Sequence, residues 1–281
     1  MKNIKILLTL LISITLFSSC DEIEKPYLRD NTGGGSGASV VKKVLLEDFT
    51  GHRCVNCPGA HLVAHDLQEQ YGDQLIIVGI HAGYFATPSS GDFTADFTTE
   101  AGEQLCQDFQ VIQFPSGMVN RTPVDGNTVI NQGSWAAAVG SMVQGEAEVR
   151  IEMENNFNNA NRKLNTSVDV TFLSNNASGT FNICLYITED DIVAPQMNND
   201  ENIGETPEIL NYVHHHVLRK AVNGTYGDLI TNETINVNSP YSFDFTDIAI
   251  PNEWNTDNLT VIAFVINQEN QQIIQAEQLG L

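Results

Sequence analysis

The sequence predicts an α/β layered unit over residues 40–145 followed by an all-β sandwich over residues 146–281. Three observations predict it. Between Val40 and Val143, apolar runs short enough for buried strands alternate with stretches of helical periodicity. Beyond Gly145 the texture changes to short alternating strands separated by asparagine-rich turns such as Asn158-Asn159 and Asn175-Asn176. At 281 residues the chain also exceeds the usual size of one domain, which favours two.

Residues 1–19 read as a secretion signal: Lys2 and Lys5, then an apolar run from Ile6 to Phe17 too short to span a bilayer, then Ser18 and Ser19. Cys20 directly after two small residues resembles the lipobox of bacterial lipoproteins, which implies an acylated Cys20 at the start of the mature chain. One acyl chain holds a protein to a membrane marginally, whereas two or more hold it firmly. The implied partner is therefore a membrane, reached through lipid on Cys20. Residues 20–39, acidic and then glycine-rich, read as a flexible tether. Asp21, Glu22 and Glu24 resemble the surface-export signal of lipoproteins in Bacteroidota, implying an outer membrane address exposed at the cell surface. In enterobacteria an aspartate there would instead mean retention at the inner membrane.

The first unit reads as a buried strand over 40–49, ended by Thr50-Gly51, and a helix over 54–71. That helix carries Leu62, Val63 and Leu67 on one side and tolerates Pro58 in its first turn. A second buried strand follows over 74–80, then a loop over 82–94 and a helix through Asp108. Residues 117–119 and 128–130 read as a hairpin around Asp125-Gly126, and 134–143 as a closing helix. In the second unit, strands are expected over 147–157, 164–173, 180–188, 212–222, 234–245 and 259–267. Residues 190–207 read as an irregular loop.

A formal charge of −22 without any basic stretch repels nucleic acid, so no DNA or RNA partner is expected. Lipidation of Cys20 leaves Cys54, Cys57, Cys106 and Cys184, and of these only Cys54 and Cys57 are close in sequence. Export permits disulfides to persist. Cys106 and Cys184 sit in apolar surroundings and read as free buried thiols.

Cys54-Val55-Asn56-Cys57 lies at a strand-to-helix junction. A helix N-terminus presents unpaired N–H groups and the positive end of its dipole, which stabilise a thiolate. Arg53 adds charge of the same sign. Cys54 is thus the expected nucleophile, and Cys57, one turn inside the helix, the resolving thiol.

The segment from Asp48 to Cys54 is similar to the strand end of thioredoxins. In that family an aspartate six residues before the first cysteine is a buried base, a role that falls here on Asp48; the plainer reading is a solvent-facing carboxylate beside Glu47. Ile112-Gln113-Phe114-Pro115 resembles the loop whose cis-proline faces the dithiol, which implies that place for Pro115. Arg53 stands where thioredoxins carry tryptophan, and Val55-Asn56 where they carry Gly-Pro, so the redox potential does not transfer. Reductant, oxidant and isomerase all stay open. FTGHRCVNCP, QFPSGMVNR and YVHHHVLR together resemble the outer membrane protein 28 related lipoproteins of Bacteroidota, which implies a thioredoxin-like α/β domain followed by a β domain.

Among the histidines, His61 and His65 share a helix face with Cys57, and His81 ends a strand near the same edge. His214 and His216 alternate onto one face of a predicted strand and are weak candidates for zinc or copper. A loop or core histidine is the blander reading of each, and no metal or other cofactor is expected. Pro58 replaces the histidine a c-type haem site requires. Three functions follow: thiol–disulfide exchange with protein partners through Cys54 and Cys57, a non-catalytic adhesion or assembly scaffold, and metal handling.

Overall fold

The structure, a computed structural model, describes residues 40–174, 179–231 and 233–281. The leader, Cys20, the tether and the Asn175-Asn176 turn lie outside them.

Strand β1 (Val44–Thr50) is buried along its whole length because both of its faces are covered. Leu45 and Phe49 enter one core with Ile76, Val78 and Ile80 of β2 (Leu75–His81), while Val44 and Leu46 enter another with Leu75 and Ile77. Continuous apolar runs of this kind suit a parallel pair buried on both sides. The two strands are parallel from Val44–Leu75 to Thr50–His81. Helix α1 (Cys57–Tyr71) connects them, with Pro58 in its first turn and Ala60, Ala64 and Leu67 seated on the second core. Helix α2 (Glu100–Asp108) is capped by Thr99, whose Oγ1 accepts from Gly102 N at 3.0 Å. Strand β3 (Ser116–Val119) returns antiparallel to β1, and α3 (Trp135–Met142) packs beside α1 on the second core. The expected hairpin shrinks to two isolated bridges, Gly117–Ile130 and, around Asp125-Gly126, Val124–Asn127, because the ladder partner of β3 is β1.

In the second half, β4 (Val149–Asn158), β5 (Lys163–Phe172) and β11 (Pro240–Ala249) form a three-stranded antiparallel sheet. Five more are β6 (Phe181–Glu189), β9 (Val217–Ala221), β10 (Asp228–Leu229), β12 (Leu259–Asn267) and β13 (Ile273–Gly280). They join the first half in one mixed sheet of order β13-β12-β6-β9-β2-β1-β3, with β10 on β6. The path ends at β13 and β3 and closes no barrel. Strand β9 makes the join, parallel to β2 at Gly79–Val217 and antiparallel to β6. A boundary at 145/146 therefore does not separate two sheets, and residues Val40–Leu281 form one compact unit. The physical reason is that β6 and β12 are apolar on both faces. Ile183, Leu185, Val261 and Ala263 pack on the three-stranded sheet as a two-layer sandwich, whereas Cys184, Tyr186, Ile262 and Phe264 extend the first core.

A buried ion pair within the first half lies against side chains of the second. Glu47 of β1 accepts from Arg121 Nε at 2.8 Å and Nη2 at 2.6 Å, with both side chains 0% exposed. The guanidinium lies among the rings of Phe109, Tyr226 and Phe264. Next to it, Asn120 Oδ1 accepts from Leu45 N at 2.8 Å and Asn120 O from Ile273 N at 2.9 Å.

Residues 190–207 are not wholly irregular: β7 (Ile192–Met197) and β8 (Glu208–His214) form a hairpin that is a two-stranded sheet of its own. The strand expected over 212–222 breaks at His215-His216, where His216 takes φ +56° and turns the chain from β8 into β9. Strands β10 and β13 were not foreseen, and the strand expected from residue 234 starts at Pro240.

Candidate functional site at the Cys54–Cys57 junction

Cys54 and Cys57 are joined as a disulfide at the end of β1. Cys57 is the first residue of α1 rather than one turn inside it, and Cys54 occupies the preceding turn, where its carbonyl accepts from Cys57 N at 3.3 Å. The turn is tight because the 84–86 backbone crosses it: a Cβ on Gly51 would lie 2.5 Å from the Phe85 carbonyl carbon. Arg53 N donates to Phe85 O at 3.0 Å. The Arg53 guanidinium bonds the Tyr84 carbonyl and stacks 4.8 Å over its ring. Both cysteines are buried, at 2% and 0% exposure.

Residues far along the chain cover them. From the β7–β8 hairpin, Gln196 Nε2 reaches the carbonyls of Cys54 at 2.9 Å and Gly51 at 3.3 Å. Met197 N donates to His52 O at 2.8 Å, and Asn199 Nδ2 to Asn56 Oδ1 at 2.8 Å. Beside this cover an open groove of about 580 Å³ runs past Asn56, Phe114, Pro115, Asn199 and Ile203. The Phe114–Pro115 bond is cis, and Ile112, next to the groove, is 88% exposed.

Asp48 does not face solvent; it is buried on the α1 side of β1, with Oδ1 unpartnered and Oδ2 3.8 Å from His61 Nε2. Burial pushes its carboxyl up to about 8. His61 Nε2 also bonds Thr50 Oγ1, and Nδ1 bonds the Tyr212 hydroxyl, each at 2.8 Å. Burial lowers His61 to about 4.

His65 shares neither that pocket nor Cys57; it sits exposed beside Glu69. His214 and His216 are not a pair. His214 is buried against His81, ring centroids 5.6 Å apart, while His216 turns to Asp190 with Nδ1 3.3 Å from Oδ1. His52, His81 and His214 gather around Phe97, and the nitrogens of all three rings lack hydrogen-bond partners. Among the described residues, no group of three or more His, Cys, Asp or Glu is placed to hold a metal ion. Cys106 and Cys184 are free and buried, and burial pushes the Cys184 thiol up to about 12.

The hairpin, Gln196 and the His52–His81–His214 group escaped sequence reasoning. Only YVHHHVLR, a histidine run inside an apolar strand pattern, pointed there.

The pattern of the family described as outer membrane protein Omp28 matches residues 102–281. The chain belongs to the Omp28 family. It is an outer membrane protein of the cell envelope. The matched stretch carries Pro115, Arg121 and the β7–β8 hairpin but stops short of Cys54 and Cys57. Omp28 membership is joined by likeness of fold. HBP35 of Porphyromonas gingivalis is 18% identical, with 87% of this chain and 76% of that one covered at a TM-score of 0.64. A protein of Agrobacterium tumefaciens is 11% identical, with 86% and 96% covered at 0.52. A domain of the outer membrane lipoprotein Omp28 from Porphyromonas gingivalis is 18% identical, covering 48% and 88% at 0.32. No curated protein matches the chain.

Proposed function

We propose that this Omp28-family lipoprotein, held by lipid on Cys20 and facing the cell exterior, exchanges thiols and disulfides with envelope proteins through Cys54 and Cys57. The observation that carries the reading is the disulfide itself, set between the end of β1 and the first turn of α1. The order β1-α1-β2-α2-β3 supports a thioredoxin-type unit over 40–145, with β2-β1-β3 adjacent and β3 antiparallel. In the reduced protein the Cys54 thiolate attacks one sulfur of a substrate disulfide and expels the other as a thiolate. Cys57 then displaces the substrate from Cys54, regenerating the Cys54–Cys57 disulfide and leaving the substrate with two thiols. Asp48, buried on the α1 side of β1 with its carboxyl pushed up to about 8, is the group to which the resemblance to thioredoxins gives the role of base for the Cys57 proton. Pro115 and the exposed Ile112 border the groove where an extended peptide would lie.

The second reading is a non-catalytic adhesion or assembly scaffold in which the disulfide only braces the turn. The burial of both sulfurs favours it. Insulin reduction separates the two. The exchange reading expects catalytic amounts of reduced wild-type protein to precipitate the insulin B chain, and Cys54→Ser to be silent. A wild type inert both in reducing insulin and in oxidising a reduced peptide would leave the scaffold.

A further inference from the structure

We propose that residues 196–209, the distal half of the β7–β8 hairpin, are a cover that must lift before the Cys54–Cys57 disulfide meets any thiol. The inference deepens the exchange reading and rests on it for its biological meaning.

The contacts divide the hairpin into a fixed base and a lightly held tip. At the base, Ile192 and Ala194 pack with Phe97 and Val217, and the Tyr212 hydroxyl is bonded to His61. Between base and tip the ladder loses register, at Pro195, which has no N–H to give. Beyond that point the hold is polar: Gln196 on Cys54 and Gly51, Met197 N on His52 O, and Asn199 on Val55 O and Asn56 Oδ1. Among the described residues, none from 196 to 209 joins a buried apolar core. The hairpin shares no ladder with either larger sheet. Lifting the tip therefore breaks a handful of neutral hydrogen bonds and disturbs no core, so it belongs to the local openings that precede global unfolding.

The test is reduction of the full-length oxidised protein by dithiothreitol, read by alkylation and mass. A thiolate of the reagent attacks Cys54 Sγ and expels Cys57 as a thiolate, which takes a proton from water. The second thiol of the reagent then displaces Cys54, leaving cyclic oxidised reagent and two protein thiols. With the cover in place, the rate levels off at high reagent concentration, at the rate of lifting. Gln196→Ala and Asn199→Ala should each raise that plateau about tenfold, the consequence of losing one or two neutral bonds. Cys106 and Cys184 should stay unmodified throughout, since their cores remain closed. A rate proportional to reagent at all concentrations overturns the proposal. So does a plateau that neither variant moves, or alkylation of Cys106 and Cys184 in step with reduction. Because the probe is a small dithiol, a plateau beside an inert insulin assay keeps the cover and discards protein exchange; proportional rates beside an active assay do the reverse.

Discussion

Replacing Glu47 with glutamine is expected to lower the free energy of unfolding by about 3–5 kcal/mol, the usual cost of stranding one member of a buried ion pair. Both side chains are fully buried, and the Arg121 guanidinium has no water to turn to; its Nη1 already lacks a partner. The surrounding rings of Phe109, Tyr226 and Phe264 offer cation–π attraction in place of a carboxylate, and the Tyr226 hydroxyl is already bonded to Asp108. Glu47→Leu combined with Arg121→Met should recover most of the loss, because a buried pair exchanged for apolar side chains of similar volume is often neutral or better. Denaturant titration of the single and double variants measures both terms. A single variant costing under about 1 kcal/mol would mean that water reaches this pair.

Acidification should destabilise the fold well before the carboxylates titrate. Burial lowers His61 to about 4, His214 to about 3 and His81 well below 6.5, so in the folded state all three stay neutral through mildly acid pH. The unfolded chain protonates them near pH 6.5, so it binds more protons than the native state and stability falls as pH drops below that value. Asp48 acts in the opposite sense: raised to about 8, it holds a proton in the folded state that the unfolded chain lacks above pH 3.8, favouring folding as pH falls from 8. Three histidines against one carboxyl leave a net of two protons, or about 3 kcal/mol per pH unit below 6.5. Burial lowers His52 as well, and Arg53 pushes the same way while Asp96 opposes it. Stability measured in denaturant should thus fall by about 4 kcal/mol between pH 7 and pH 5. Replacing His81 and His214 by leucine should flatten most of that slope. A wild-type curve level from pH 7 to pH 5 would contradict the buried, neutral state of this cluster.

What the sequence made legible was whatever its own neighbourhood determines. VLLEDFT opens on an apolar run and LIIVGIH is apolar on both faces, and they became β1 and β2; LTVIAFVIN became β12 at its expected bounds. Pro58 marked the first turn of α1, and the free, buried state of Cys106 and Cys184 followed from their apolar surroundings. The hairpin over the disulfide was hidden because IVAPQM carries a proline and runs into polar residues, which read as loop. Its order comes from pairing with residues 208–214 and from packing on a junction 142 positions earlier in the chain. Alternation failed for His214 and His216 because a positive φ at His216 ends the strand between them. The expected boundary at 145/146 failed to foresee a shared sheet because β9 joins β2 by a single parallel pairing, Gly79–Val217, that no local pattern announces. Buried Glu47, His81 and Gln196 are polar residues whose surroundings lie far away in sequence, so nothing local could reveal their burial.

The most direct test of exchange through Cys54 and Cys57 is to recover Cys57→Ser and Cys54→Ser variants from the native envelope under acid quench and look for mixed disulfides. Attack by Cys54 without a resolving Cys57 leaves the partner covalently bound, so the first variant should carry discrete, reductant-sensitive adducts and the second few or none. Absence of adducts from Cys57→Ser, or equal capture by both variants, would contradict a resolving dithiol and leave the disulfide as a brace.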